Sequence, residues 1–250
     1  MAKQIGLLAI LAFGFMACND EKVESEDIRT SGIYAAFHVL ATGNDKTTAT
    51  SELRVGGDSG TIIILTGEDK LVCTATVPEL APTTKTLSKD GNEYKATFSG
   101  DAASTQFLFA FNRSDEDETA PDSHVVLPDP FTISGVAPTD EISRAASLSV
   151  TWDPSETKDA TTWSLDGDCL FKSDGTVPDD GALTLSGSDF NSTPSADDAA
   201  KAGDSAKANC TATLCIEKKR HGTLDPAFAR EEGGVIDAIQ RRCTQFISTP

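Results

Sequence analysis

Apolar residues in this chain recur at every second position, in short runs that turn formers interrupt before helical length is reached. Ile33, Ala35, Phe37 and Val39 alternate with Tyr34, Ala36 and His38, which is the period of a strand with one buried face. Further runs of strand type cover Ser51–Val55, Thr61–Leu65, Lys70–Val77, Glu93–Ser99 and Thr105–Phe111. They continue through Ser123–Leu127, Phe131–Ser134, Ser147–Trp152, Thr161–Leu165, Ala182–Leu185, Asn209–Lys219 and Val235–Ser248. Gly56-Gly57-Asp58, Gly67-Glu68-Asp69 and Lys89-Asp90-Gly91-Asn92 separate them, and short strands punctuated in this way predict an all-β sandwich or barrel. Asp90-Gly91 is expected at the centre of a two-residue hairpin turn, where positive φ is needed. Only Thr193–Gly203 carries helical signals, with an early Pro, an Ala-rich interior and an exit Gly. It lacks a wide apolar stripe and reads as a surface loop.

Pro128-Asp129-Pro130 marks a break after the charged stretch Ser114–Pro121. The expected organisation is therefore two tandem immunoglobulin-like β-sandwich domains, over residues 32–129 and 130–250. Each half has the length of one small sandwich.

The N-terminus predicts export. Lys3 precedes the apolar run Ile5–Met16, and Ala17-Cys18 follows it. The run is shorter than the ~20 residues that span a bilayer and has the form of a secretory signal. Ala17-Cys18 resembles the end of a bacterial lipobox, with Phe15 departing from the usual Leu, Val or Ile. That resemblance implies a cleaved signal over residues 1–17 and a lipid on Cys18. Residues 18–31, rich in Asp and Glu, are expected to form a flexible acidic tether.

Phe109–Arg113, Ala120–Ser123, Val126–Phe131, Leu148–Trp152 and Trp163–Cys169 follow one another in an order that resembles a group of uncharacterised predicted lipoproteins from proteobacteria. Leu148-Ser-Val-Thr-Trp152 also looks like an early strand of immunoglobulin-like or fibronectin-like modules. The resemblance implies a lipid-anchored envelope protein and supplies no catalytic residues.

Cys73, Cys169, Cys210, Cys215 and Cys243 remain beyond Cys18, and an oxidising compartment permits disulfides among them. Four of the five lie in the second half, so two bridges are expected there, with Cys73 left as a small buried hydrophobe in Leu71–Ala75. Cys210 and Cys215 are five apart and face opposite sides of a strand, so they bond to different partners. Cys169–Cys210 with Cys215–Cys243 is the first expectation and the swapped arrangement the second. Zinc is disfavoured because no C-x2-C spacing occurs.

A formal net charge of −18 argues against nucleic acid as a partner, since phosphate is bound by clustered Lys and Arg. His38, His124 and His221 are far apart. Asp122, Ser123 and His124 are adjacent in sequence, whereas a working triad converges from separate segments, and no nucleophile, zinc-hydrolase or phosphate-loop motif is present. No catalytic residue is assigned. The acidic clusters are Asp115–Glu118, Asp153 with Glu156 and Asp159, Asp166 with Asp168, Asp179-Asp180 and Asp197-Asp198. Solvated acid is the default for them. Ca²⁺ is the one cofactor worth naming, and Asp166 and Asp168 are its weak candidates because Trp163 and Cys169 flank them. The long connection Gly222–Gly234 places Leu224 and Phe228 either back on the sandwich or at an exposed binding tip.

These features together predict a non-catalytic binding or structural module of the bacterial envelope. The outer membrane, at its periplasmic face or the cell surface, is the expected location, and an envelope protein or polysaccharide is the expected partner. The alternative is an exported hydrolase or carbohydrate-active protein using a carboxylate pair.

Overall fold

The alternating runs become strands in which every second side chain is buried, as in Gln106–Asn112, where Phe107, Phe109 and Phe111 face inward. The computed structural model describes residues 22–115, 118–153, 159–190, 209–228 and 233–250. In chain order the strands are β1 (Lys22–Glu24), β2 (Ile33–Ala41), β3 (Lys46–Val55), β4 (Thr61–Ile64), β5 (Lys70–Thr76) and β6 (Thr83–Thr86). Next come β7 (Ser88–Asp90), β8 (Glu93–Ser99), β9 (Gln106–Asn112), β10 (Ala120–Val126), β11 (Thr132–Ser134) and β12 (Glu141–Ser143). The last are β13 (Leu148–Asp153), β14 (Ala160–Gly167), β15 (Leu170–Val177), β16 (Ala182–Leu185), β17 (Cys210–His221) and β18 (Val235–Thr249). A single short helix, α1 (Gly187–Phe190), is seen among the described residues.

One sheet of 11 strands runs β1-β4-β3-β2-β18-β17-β14-β15, with β8 also on β3, β7 on β8 and β12 on β18. A sheet of order β10-β9-β5-β6 covers one part of it, and a sheet of order β11-β13-β16 covers another. Two apolar cores result. In the first, Phe37 stacks on Phe109 at 4.7 Å between ring centroids, and Phe98 meets Phe107 edge-on at 5.5 Å. In the second, Trp152, Trp163, Leu165, Leu214, Ile216 and Phe246 pack together.

The division at residue 129 separates most of the two cores but does not yield two self-contained domains. Phe228, Ile236 and Ala238 belong to the first core, and β18 pairs in parallel with β2 through Val235–Gln240. The reason is the length of β18. Over its 15 residues one edge takes β17 along Asp237–Ser248 while the other edge takes β2 along Val235–Gln240, so a single strand serves both halves.

Residues 22–31 also differ from the expected flexible tether. β1 pairs in parallel with β4, and two 3-10 turns, Ser25–Asp27 and Thr30–Gly32, follow it. Arg113 holds them down. Its guanidinium donates to the carbonyls of Ile28 (2.7 Å) and Ser25 (2.6 Å) and pairs with buried Asp69. Polar composition suggested disorder because these turns are fixed by a distant arginine rather than by their own apolar residues. Residues 1–21, including Cys18, and the stretch Thr193–Gly203 lie outside the described residues.

The hairpin turn is one residue later than expected. Asp90 pairs with Glu93, which leaves Gly91-Asn92 at the centre, and Gly91 takes φ +65°. Glycine at the first central position is what a type II′ turn requires. The strand β15 had no counterpart among the expected runs, because Lys172-Ser-Asp-Gly175 carries turn-type residues. Gly175 stands opposite Trp163, and a Cβ there would meet the indole Nε1 at 2.8 Å, so the side-chain-free position gives the ring its place.

Candidate functional site: the outward face of the disulfide-linked sheet

Strands β14, β15, β17 and β18 bury one face in the second core, so their intervening residues point to solvent. Pairing register sorts the outward side chains into rows across the sheet. One row is Asp174–Ser164–Cys215–Cys243, a second is Thr176–Thr162–Glu217–Arg241, and a third is Asp166–Thr213–Gln245. Ser164, Cys215, Cys243, Glu217, Arg241 and the third row line an open groove of about 710 Å³, which Asp168 and Lys172 also border. A smaller hollow of about 340 Å³ continues it towards Asp174 and Thr176.

The groove has a covalent floor. Cys215 and Cys243 are directly opposed on β17 and β18 and are disulfide-bonded, with Cα atoms 4.1 Å apart. At one end Cys169 is bonded to Cys210, and the Cys169 N–H points at the Cys210 sulfur at 3.1 Å. Cys210 packs against the second core while Cys215 faces the groove, in keeping with their odd spacing on one strand. Cys73 is free and buried in the first core, where burial pushes its thiol well above the ordinary range.

Both charges are represented. Arg241 Nε donates to Glu217 Oε1 at 2.5 Å, and Lys172 lies across from the Asp166–Asp168 turn. Asp166 Oδ1 accepts the Gly167 N–H at 2.8 Å. Asp166 and Asp168 thus share the groove, but among the described residues no group of three or more His, Cys, Asp or Glu side chains is placed to hold a metal ion. Calcium at that pair therefore gains no third carboxylate from the described residues. Lysine and arginine donate, the carboxylates accept, and Ser164, Thr213 and Gln245 do both. Such a surface is chemically fitted to a polar ligand with many hydroxyl or amide groups.

The remaining sequence candidates are dispersed. His124 Nδ1 lies 3.1 Å from Asp122 on the exposed side, whereas the intervening Ser123 is buried and its Oγ accepts the Asp225 N–H at 2.9 Å. Adjacent strand residues point to opposite faces, so these three do not converge. His38 pairs with Asp237, and His221 is exposed at the end of β17. Several acids are structurally committed. Asp159 forms a two-pronged pair with Arg220, both contacts at 2.7 Å, and Asp179 faces Lys218. Phe228 is buried against Phe37 and Phe111, with Leu224 packed beside the same core. The Gly222–Gly234 connection therefore tucks back and presents no apolar tip through these two residues.

Lys172, Glu217 and Arg241 were not singled out from sequence. A signal existed: a Cys215–Cys243 bridge fixes the register of β17 on β18, and two residues further along that register Glu217 faces Arg241.

No protein-family model matches the chain, and no curated protein matches it. Among solved structures, a two-domain fibronectin type-III segment of chicken tenascin is similar at 12% identity and a TM-score of 0.23, covering 81% of this chain and 95% of that one. Trypsin-activated alpha-2-macroglobulin from Escherichia coli is similar at 10% identity and a TM-score of 0.23. That match covers 87% of this chain and 16% of that one. A bacterial ice-binding adhesin is similar at 11% identity and a TM-score of 0.22, covering 86% of this chain and 65% of that one. The chain is an all-β, disulfide-bonded protein, and its likeness to these structures is distant and partial.

Proposed function

We propose that this chain is a lipid-anchored protein of the bacterial envelope, held through Cys18, that binds polysaccharide non-catalytically in the groove across β14, β15, β17 and β18. The observation that carries the reading is the groove itself, polar across its width and braced by the Cys215–Cys243 disulfide. A braced site loses little conformational entropy when it is occupied. The export signal supports the same reading, because its compartment allows two disulfides to form.

Two measurements test it on the full chain. Radiolabelled palmitate fed to expressing cells is expected to label the wild type and not Cys18→Ser. Immobilised protein is expected to retain soluble envelope polysaccharide, and Lys172→Glu with Arg241→Glu to release it. Retention of an envelope protein instead, insensitive to both substitutions, moves the site elsewhere. Turnover of a glycoside or ester substrate replaces the binding role with a hydrolytic one.

A further inference from the structure

On β17 the inward positions run Ala212, Leu214, Ile216 and then Lys218, where the alternation calls for an apolar side chain. The lysine side chain is 1% exposed, and its Nζ lies 3.1 Å from Oδ2 of Asp179, which is 0% exposed. Asp179 sits in the connection between β15 and β16, so this contact crosses from the large sheet to the sheet that covers the second core. Trp152 donates its indole N–H to the other oxygen, Asp179 Oδ1, at 2.8 Å. The Phe131 ring lies beneath the ammonium, 5.1 Å from Nζ to its centroid. Directly across the ladder from Lys218 stands Thr161, whose buried hydroxyl has no hydrogen-bond partner among the described residues.

A buried ion pair is a weak source of stability, since a well-packed apolar pair often does as well or better. The cost of placing Lys218 and Asp179 here therefore asks for a role. We propose that Lys218 and Asp179 condense into an intramolecular isopeptide bond that staples the two layers of the second sandwich.

The chemistry balances without any co-reactant. One proton passes from the Lys218 ammonium to Asp179 Oδ2, and the freed lone pair on Nζ attacks the carboxyl carbon. Negative charge gathers on Oδ1, where the Trp152 N–H is already aimed, as a donor aimed at a developing oxyanion should be. A second proton moves from nitrogen to Oδ2, the Cγ–Oδ2 bond breaks, and that oxygen leaves as water carrying both protons. The third proton remains on the amide nitrogen, and no electron changes hands. The Thr161 hydroxyl, on the same buried row as Lys218, is available to hold the departing water. Holding amine and carboxyl in contact replaces a bimolecular encounter, an effect worth effective concentrations of about 10⁵–10⁸ M in well-oriented systems. Exclusion of solvent from both groups also disfavours the reverse hydrolysis.

The test is a mass measurement on the full-length chain, reduced and denatured, beside Lys218→Arg and Asp179→Ala. After allowance for the substitutions, the wild type is expected to be lighter than both variants by one water. Tryptic digestion is expected to give a branched peptide joining Lys218 to Asp179, with no cleavage after Lys218. A wild type with no deficit after prolonged incubation of the folded protein, and with Lys218 open to trypsin once denatured, overturns the proposal. So does a one-water deficit that persists in Asp179→Ala. Because the decisive reading is made on the wild type, it stands even where a variant folds poorly.

Discussion

Asp237 of β18 stands directly across from His38 of β2 and accepts a hydrogen bond from its Nδ1 at 2.7 Å. The parallel pairing they share joins the part of the large sheet over the first core to the part over the second. Lys219 Nζ approaches the other carboxyl oxygen at 3.5 Å. Burial works against charge on Asp237, but the hydrogen bond and charge of His38, together with Lys219, outweigh it and hold the carboxyl below its ordinary value of 3.8.

The sign of the resulting pH dependence follows. A carboxyl held low in the folded chain contributes its full stabilisation above the unfolded value of 3.8, and that contribution is lost as pH falls through the lower, folded value. Asp237→Asn is expected to melt below the wild type at about pH 5–6, roughly one to two units above the ordinary aspartate value. The gap in Tm should narrow on acidification below 3.8. Thermal melts of both chains across that range check it, and a gap that widens in acid contradicts the pairing.

Exposure separates the two disulfides. Cys243 lies open on the groove floor, whereas Cys169 is 7% exposed and packed into the second core. Mild reductant followed by alkylation is expected to label Cys215 and Cys243 first, as read by peptide mass mapping. Replacing that pair by Ala should lower stability by about 3 kcal/mol, the size expected for closing a loop of this order.

Phe228 tests whether the Gly222–Gly234 connection is structural. Phe228→Ala removes a ring packed on Phe37 and Phe111 and is expected to cost about 3–5 kcal/mol in a denaturant melt. Because the residue is in the first core but follows β17 in sequence, hydrogen exchange should rise in β2 and β9 as well as in the connection itself.

Arg113 should govern the order of the N-terminal turns. Arg113→Ala leaves Asp69 buried with its charge uncompensated, a change that costs about 3–5 kcal/mol when a buried pair is broken on one side. Amide exchange over residues 25–32 is expected to accelerate most. Unchanged protection there would show that β1 pairing alone holds the segment.

Much of this architecture was legible because alternation is a local signal. The runs around Ile33, Phe107, Val150 and Leu214 each declare a buried face within a few residues. The opposed directions of Cys210 and Cys215 likewise follow from parity on a single strand. What parity does not encode is which strands meet. Nothing near Val235 indicates that it pairs with Ala36, and nothing near Ser25 points to Arg113. The groove was legible in part for the same reason. Asp166 and Asp168 were visible as neighbours, while Glu217 and Arg241 come together only when the β17–β18 register is known.

The reach of β18 sets an order on assembly during synthesis. Ile236 and Ala238, with Phe228 before them, are made long after Leu127, yet they complete the core whose earlier members end there. An N-terminal unit that folds while the rest of the chain is still being made would here lack the part of its core that β18 supplies. The strands up to Leu127 wait, with one side of their core uncovered, for β18 to arrive.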